Sequence, residues 1–205
     1  MKILFVFLFL VAVVQAELYK MTNTERQQIV NRHNYYRSFQ DKTQQNLPRA
    51  ANMQQMKWSS TLEQIAYRYI QAQYDGKCGG PVHNAARSVW YNQNVYVGEN
   101  IAGGYGPTLI QSIDAWYDEL RDSNYQFGQR FTDYNGHYTQ LMWATTNLVG
   151  CAATFCTCQN CYSPILVCNY APGGNVNNQL PFIEGYPCSQ CPVSAPQCVN
   201  HELCT

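Results

Sequence analysis

Charge is scarce in this sequence. Lys, Arg, Asp and Glu together make up 13% of 205 residues, and 13 basic side chains balance 13 acidic ones, so the formal net charge is zero. No segment is basic enough to hold nucleic acid through its phosphates, and no nucleic-acid partner is expected. Familiar catalytic motifs are missing as well. HExxH is absent, because His201-Glu202 is followed by Thr205 where the second His would stand; GxSxG is absent; and the glycines of 103–106 form neither a P-loop nor a dinucleotide fingerprint. Also lacking are an Asn-X-Ser/Thr glycosylation site, internal repeats and low-complexity tracts. With 46% hydrophobic residues the chain is too apolar to be disordered and long enough for one sizeable core.

Cysteine, by contrast, is abundant: ten residues, an even number. Such usage points to an oxidising compartment or to metal sites, and the N-terminus favours the former. Met1 and Lys2 precede twelve apolar residues, 3–14, and then Val14-Gln15-Ala16, with small residues where signal peptidase reads. Residues 1–16 are therefore expected to be a secretory signal peptide. As a helix the run would be roughly 18 Å long, short of the ~30 Å hydrocarbon core, so no transmembrane segment is expected. A free-thiol nucleophile is disfavoured, because an even number of Cys in a secreted chain is more simply paired. The two CxxC units, Cys158/Cys161 and Cys188/Cys191, are too widely separated for a zinc knuckle and read as disulfides.

Three helices are predicted from a hydroxyl residue followed three positions later by Glu or Gln: Thr24 with Gln27, Ser60 with Glu63, and Thr108 with Gln111. Their apolar positions recur at helical spacing: Ile29, His33 and Tyr36; Leu62, Ile65, Ala66, Tyr69 and Ile70; Leu109, Ile113, Trp116 and Leu120. Strands are predicted over 95–101, 148–155 and 165–170 from β-branched and aromatic content. Helices and strands that do not alternate argue for α+β, with helices layered on a mostly antiparallel sheet. The composition shifts after residue 175, where 185–205 carry four Cys and little to build a core; 177–205 reads as a small disulfide-held tail.

Four segments change the functional reading. His33-Asn34-Tyr35-Tyr36-Arg37, Gly98-Glu99-Asn100-Ile101, Gly136-His137-Tyr138-Thr139-Gln140-Leu141-Met142-Trp143 and Ile165-Leu166-Val167-Cys168-Asn169-Tyr170-Ala171-Pro172-Gly173-Gly174-Asn175 resemble, in order, the four signature motifs of the CAP superfamily. That superfamily comprises cysteine-rich secretory, antigen five and pathogenesis-related proteins. The tail around Cys188 and Cys191 resembles the hinge of its helminth venom-allergen-like branch. The resemblance assigns 17–176 to a CAP domain and implies a three-layer α-β-α sandwich. It also implies a cleft where His83, Glu99, Glu119 and His137 meet.

What that cleft does has three readings. His83 and His137 could ligate Zn²⁺ or another divalent cation, none being obligatory. The four groups could instead form a buried polar network that fixes packing. Or Glu99 or Glu119 could serve as general base of a metal-dependent hydrolase or protease. Against the last, no nucleophile or oxyanion hole is identifiable. His33 and Arg37, i and i+4 on one helix face, together with Asn34 suit a structural brace. The resemblance further implies the pairings Cys78–Cys156, Cys151–Cys168, Cys188–Cys198 and Cys191–Cys204, leaving Cys158 with Cys161. By the same resemblance the protein is a secreted binder of a sterol or fatty acid, a divalent metal or a host extracellular protein, either monomer or homodimer.

Overall fold

The computed structural model describes residues 19–38, 48–74, 80–104, 106, 108–122, 131–132, 134–155 and 163–205. Residues 1–16, expected above to be a signal peptide, and Cys78, Cys156, Cys158 and Cys161 lie outside the described residues. The elements in order are α1 (Asn23–Arg37), β1 (Lys57–Trp58), α2 (Ser60–Tyr74), α3 (Arg87–Tyr91), β2 (Gly98–Gly103), α4 (Leu109–Asp122), α5 (Gly136–Leu141), β3 (Leu148–Thr154), β4 (Ile165–Ala171), β5 (Cys198–Val199) and β6 (Leu203–Cys204). The main sheet runs β1-β3-β4-β2; β1 lies parallel to β3 and the other pairings are antiparallel.

Alternation along the strands builds the layers. In β4, Leu166, Cys168 and Tyr170 join one core with Ile29 of α1, Ile113 and Trp116 of α4, and Tyr138 and Leu141 of α5. Ile165 and Val167 point the other way, onto Ala66, Tyr69 and Ile70 of α2. The sheet is thus covered on both sides, an α+β sandwich. Every residue of β4 is buried, which is why it reads as a continuous apolar run rather than an alternating one. Cys151 and Cys168 face each other across β3 and β4 and are joined by a disulfide.

Two helix starts differ from the sequence reading. The cap of α1 is Thr22, whose hydroxyl accepts from Glu25 N at 3.2 Å while the Glu25 carboxylate returns to Thr22 N at 2.8 Å. Thr24 carries the same spacing but lies inside the helix. At α2 the capping hydroxyl is Ser59, accepting from Leu62 N; Glu63 is drawn away to the Arg26 guanidinium at 2.7 Å and the Trp58 indole at 3.0 Å. Only Thr108 and Gln111 form the reciprocal box as read.

The tail lies against the rest of the chain. Phe182 and Leu203 are buried in the main core, and backbone hydrogen bonds lay the tail along 49–56: Ala51 N to Ile183 O, Cys204 N to Met53 O and Gln55 N to Cys204 O. Disulfides Cys188–Cys198 and Cys191–Cys204 tie the β5–β6 hairpin to the chain before it. Among the described residues no helix is long and apolar enough to cross a membrane.

Candidate functional site

Glu99 stands on the edge strand β2, where Gly98 admits the Gln140 side chain. A Cβ at Gly98 would lie 1.9 Å from Gln140 Oε1. Gln140 in turn accepts from Gly174 N at 2.8 Å. Three donors converge on the fully buried Glu99 carboxylate: His83 Nδ1 at 2.9 Å, Asn84 N at 2.8 Å and, with its amide turned to match, Asn169 Nδ2 at 3.1 Å. The His83 ring itself is 60% exposed.

The second pair lies between α4 and α5. Glu119 accepts from His137 N at 2.9 Å and Tyr138 N at 3.0 Å, completing the first turn of α5, and meets His137 Nδ1 at 2.5 Å. A carboxylate there also complements the positive end of the helix. The Trp116 indole stacks on the imidazole, centroids 6.0 Å apart. Adjacent residues of β2 reach both pairs: Glu99 holds His83, and Asn100 Nδ2 donates to His137 O at 3.0 Å.

In both imidazoles Nδ1 therefore faces a carboxylate, and among the described residues neither Nε2 has a partner. A neutral ring that donates through Nδ1 presents the Nε2 lone pair outward, the state in which histidine binds a metal. The four groups nevertheless form two pairs and no single ligand set. Among the described residues the only three His, Cys, Asp or Glu ligand atoms within 4.8 Å of one another belong to Cys188, Cys191 and Cys204. Those sulfurs are bonded in disulfides, so they offer no thiolate to a metal. A tight zinc site takes three or four protein ligands, and among the described residues these His and Glu side chains assemble no such set.

A cavity of about 350 Å³ opens beside the first pair, lined by His83, Arg87, Tyr96, Glu99, Gln140 and Asn175, among others. Glu119 and His137 are not part of its wall. Asn175 joins it to α5, accepting from Thr139 Oγ1 at 2.7 Å and donating to Gly136 O at 2.8 Å. Asn100, Gln140, Asn169 and Asn175 were not singled out by the sequence reading. They lie inside the recognised motifs, yet a carboxamide carries no periodic or charge signal of its own.

His33, Asn34 and Arg37 lie elsewhere and tie layers together. His33 Nδ1 donates to Ile29 O and Nε2 accepts from the Tyr170 hydroxyl at 2.9 Å; burial pushes its pKa down to about 4. Asn34 pairs with both Met56 N and Met56 O. Arg37, wholly buried, donates to the carbonyls of Gln54, Leu141, Trp143, Ala144 and Thr146, and desolvation lowers its pKa to about 9. His201, on the β5–β6 turn, is exposed.

Residues 30–170 match the CAP family, the cysteine-rich secretory protein family. The chain belongs to this family. CRISP/Allergen/PR-1 of Trittame loki is 31% identical over 190 residues, which cover 85% of this chain and 45% of that protein. The chain thus spans less than half the length of that curated relative. Among solved CAP structures, NaASP2 with Zn²⁺ superposes with a TM-score of 0.69 at 25% identity, covering 90% of this chain and 97% of that one. Venom allergen-like protein 4 of Schistosoma mansoni gives 0.58 at 25% identity, covering 83% and 100%.

Proposed function

We propose that this CAP protein is secreted and acts by binding rather than by turnover, as a host-interaction effector with a divalent cation as an exchangeable ligand of His83 and His137. The observation that carries this is the matched pair of imidazoles, each held at Nδ1 by a carboxylate and each without an Nε2 partner among the described residues. Zinc in the related NaASP2 structure supports the choice of metal. The apolar leader of 1–16 and the disulfides support an oxidising, extracellular setting. A sterol, a fatty acid or a host protein would be the partner that the loaded or empty protein engages.

The hydrolase alternative requires a carboxylate able to take a proton from water. Glu99 and Glu119 each accept from three donors within the protein, which favours orientation of the imidazoles over general-base work. Zinc titration by calorimetry separates the readings. Wild-type protein should bind saturably, and His83→Ala and His137→Ala should each weaken binding about tenfold or more. Unchanged stoichiometry and affinity in both variants would refute the metal assignment. Cleavage of a peptide library that disappears in both His83→Ala and Glu99→Ala would establish the hydrolase instead.

A further inference from the structure

A second cleft, sharing no residue with the His/Glu cavity, lies between α1 and the β5–β6 hairpin. It measures about 580 Å³, and its wall includes Gln28, Asn31 and Tyr35 of α1, Gln55, Ile110 of α4 and Asn200 of the hairpin. Asn200 and His201 both have positive φ, 50° and 59°, and Glu202 N donates to Val199 O, so a tight two-residue turn presents the Asn200 side chain. Both hairpin strands end in disulfides, and Gln55 N is bonded to Cys204 O. The wall is therefore built in advance of any ligand.

The chemistry of this wall narrows its occupant. Its charges are already matched: Arg32 is bidentate on Asp114 at 2.6 and 2.9 Å, and Glu202 is bonded to Arg49. Among the described residues an ionic ligand would find no free counter-charge in the wall. A peptide could not extend the sheet here, because Asn34 already occupies both polar groups of Met56 on the outer side of the chain entering β1. Among the described lining residues an acyl chain would find Ile110, Val199, Leu203 and one Tyr35 ring as apolar surface, too short a floor to bury it. What remains unpaired is carboxamide: the side chains of Gln28, Gln55 and Asn200 make no hydrogen bond to the described residues, and Asn31 uses only its oxygen, accepting from Gln27. Amides that can both donate and accept, set around a small apolar floor beside the half-buried Tyr35 ring, complement a pyranose, which has hydroxyls on its rim and C–H groups on its face.

We propose that this cleft is a binding site for a neutral saccharide. The test is ¹H–¹⁵N NMR of the full mature chain, following side-chain amide signals while titrating chitotriose, maltotriose and lactose separately. At least one sugar should shift the Gln55, Asn31 and Asn200 amides saturably. The double variant Asn31→Ala/Asn200→Gly should weaken that binding about tenfold, the loss of one or two net hydrogen bonds, with thermal stability retained. Ala is the better helix former at 31, and Gly accepts the positive φ at 200. Absence of a saturable shift with all three sugars would overturn the proposal, as would undiminished affinity in the folded double variant. So would lauric acid moving these same signals when the sugars do not.

Discussion

Burial holds His33 in its neutral form, since its ring lies between the Ile29 carbonyl and the Tyr170 hydroxyl with no water to solvate a charge. Its pKa falls from 6.5 to about 4 on folding. The unfolded chain then binds more protons between these values, so stability from this group is complete above pH 6.5 and is lost as pH falls through about 4. The loss should reach about 3 kcal/mol. Urea midpoints measured from pH 7 to pH 4 should fall more steeply for the wild type than for His33→Gln; parallel curves would refute the assignment. Arg37 poses the converse problem, a buried cation with carbonyls as its partners. Arg37→Met should cost about 3 kcal/mol or more by stranding several acceptors, and Arg37→Lys should recover only part, because one ammonium cannot reach five carbonyls. Both are checked by equilibrium denaturation. The i, i+4 spacing placed His33 and Arg37 on one helix face, whereas the carbonyls that Arg37 gathers leave no trace in the sequence.

At the scale of elements, α2 rests on the sheet at Gly150 of β3. A Cβ there would meet Glu63 N at 2.3 Å and Ser59 O at 2.4 Å, both backbone atoms that cannot swing aside. Gly150→Ala should therefore push the start of α2 off the sheet and cost about 3 kcal/mol, while Gly80→Ala, with nothing among the described residues within 4 Å, should be near neutral. A denaturation comparison of the two variants checks this, and equal stability would sink it. The stripes of α1, α2 and α4 were readable because burial enforces helical periodicity. The caps were less so: Thr22/Glu25 and Thr24/Gln27 carry the same spacing, and the backbone conformation chooses between them. Glu63 shows a different limit, since a guanidinium 37 positions away competes for the carboxylate that a local rule assigns to the cap.

For the whole molecule, the tail is the main departure from what composition suggests. Poor in aliphatics, it docks through backbone hydrogen bonds to 49–56 and contributes Phe182 and Leu203 to the core. No side-chain pattern announces backbone pairing of that kind. Deleting 177–205 should lower the melting temperature and expose apolar surface, read as increased binding of a hydrophobic dye; an unchanged melting temperature would show the tail to be independent. The α+β class, by contrast, followed from helices and strands that do not alternate, and the α-β-α layering from the resemblance carried by the four motifs.

Arg37 has a mechanical consequence for the His/Glu cavity. It grips the carbonyls of Leu141, Trp143, Ala144 and Thr146, so the chain immediately after Gln140 cannot hinge without abandoning a full positive charge in the interior. That makes Gln140 and α5 the fixed jaw of the cavity. The opposite wall is the His83 ring, largely solvent-exposed and held through Nδ1 on Glu99, while its backbone is fixed by Asn84 N on the same carboxylate; side-chain rotation of that ring is the adjustment this wall allows.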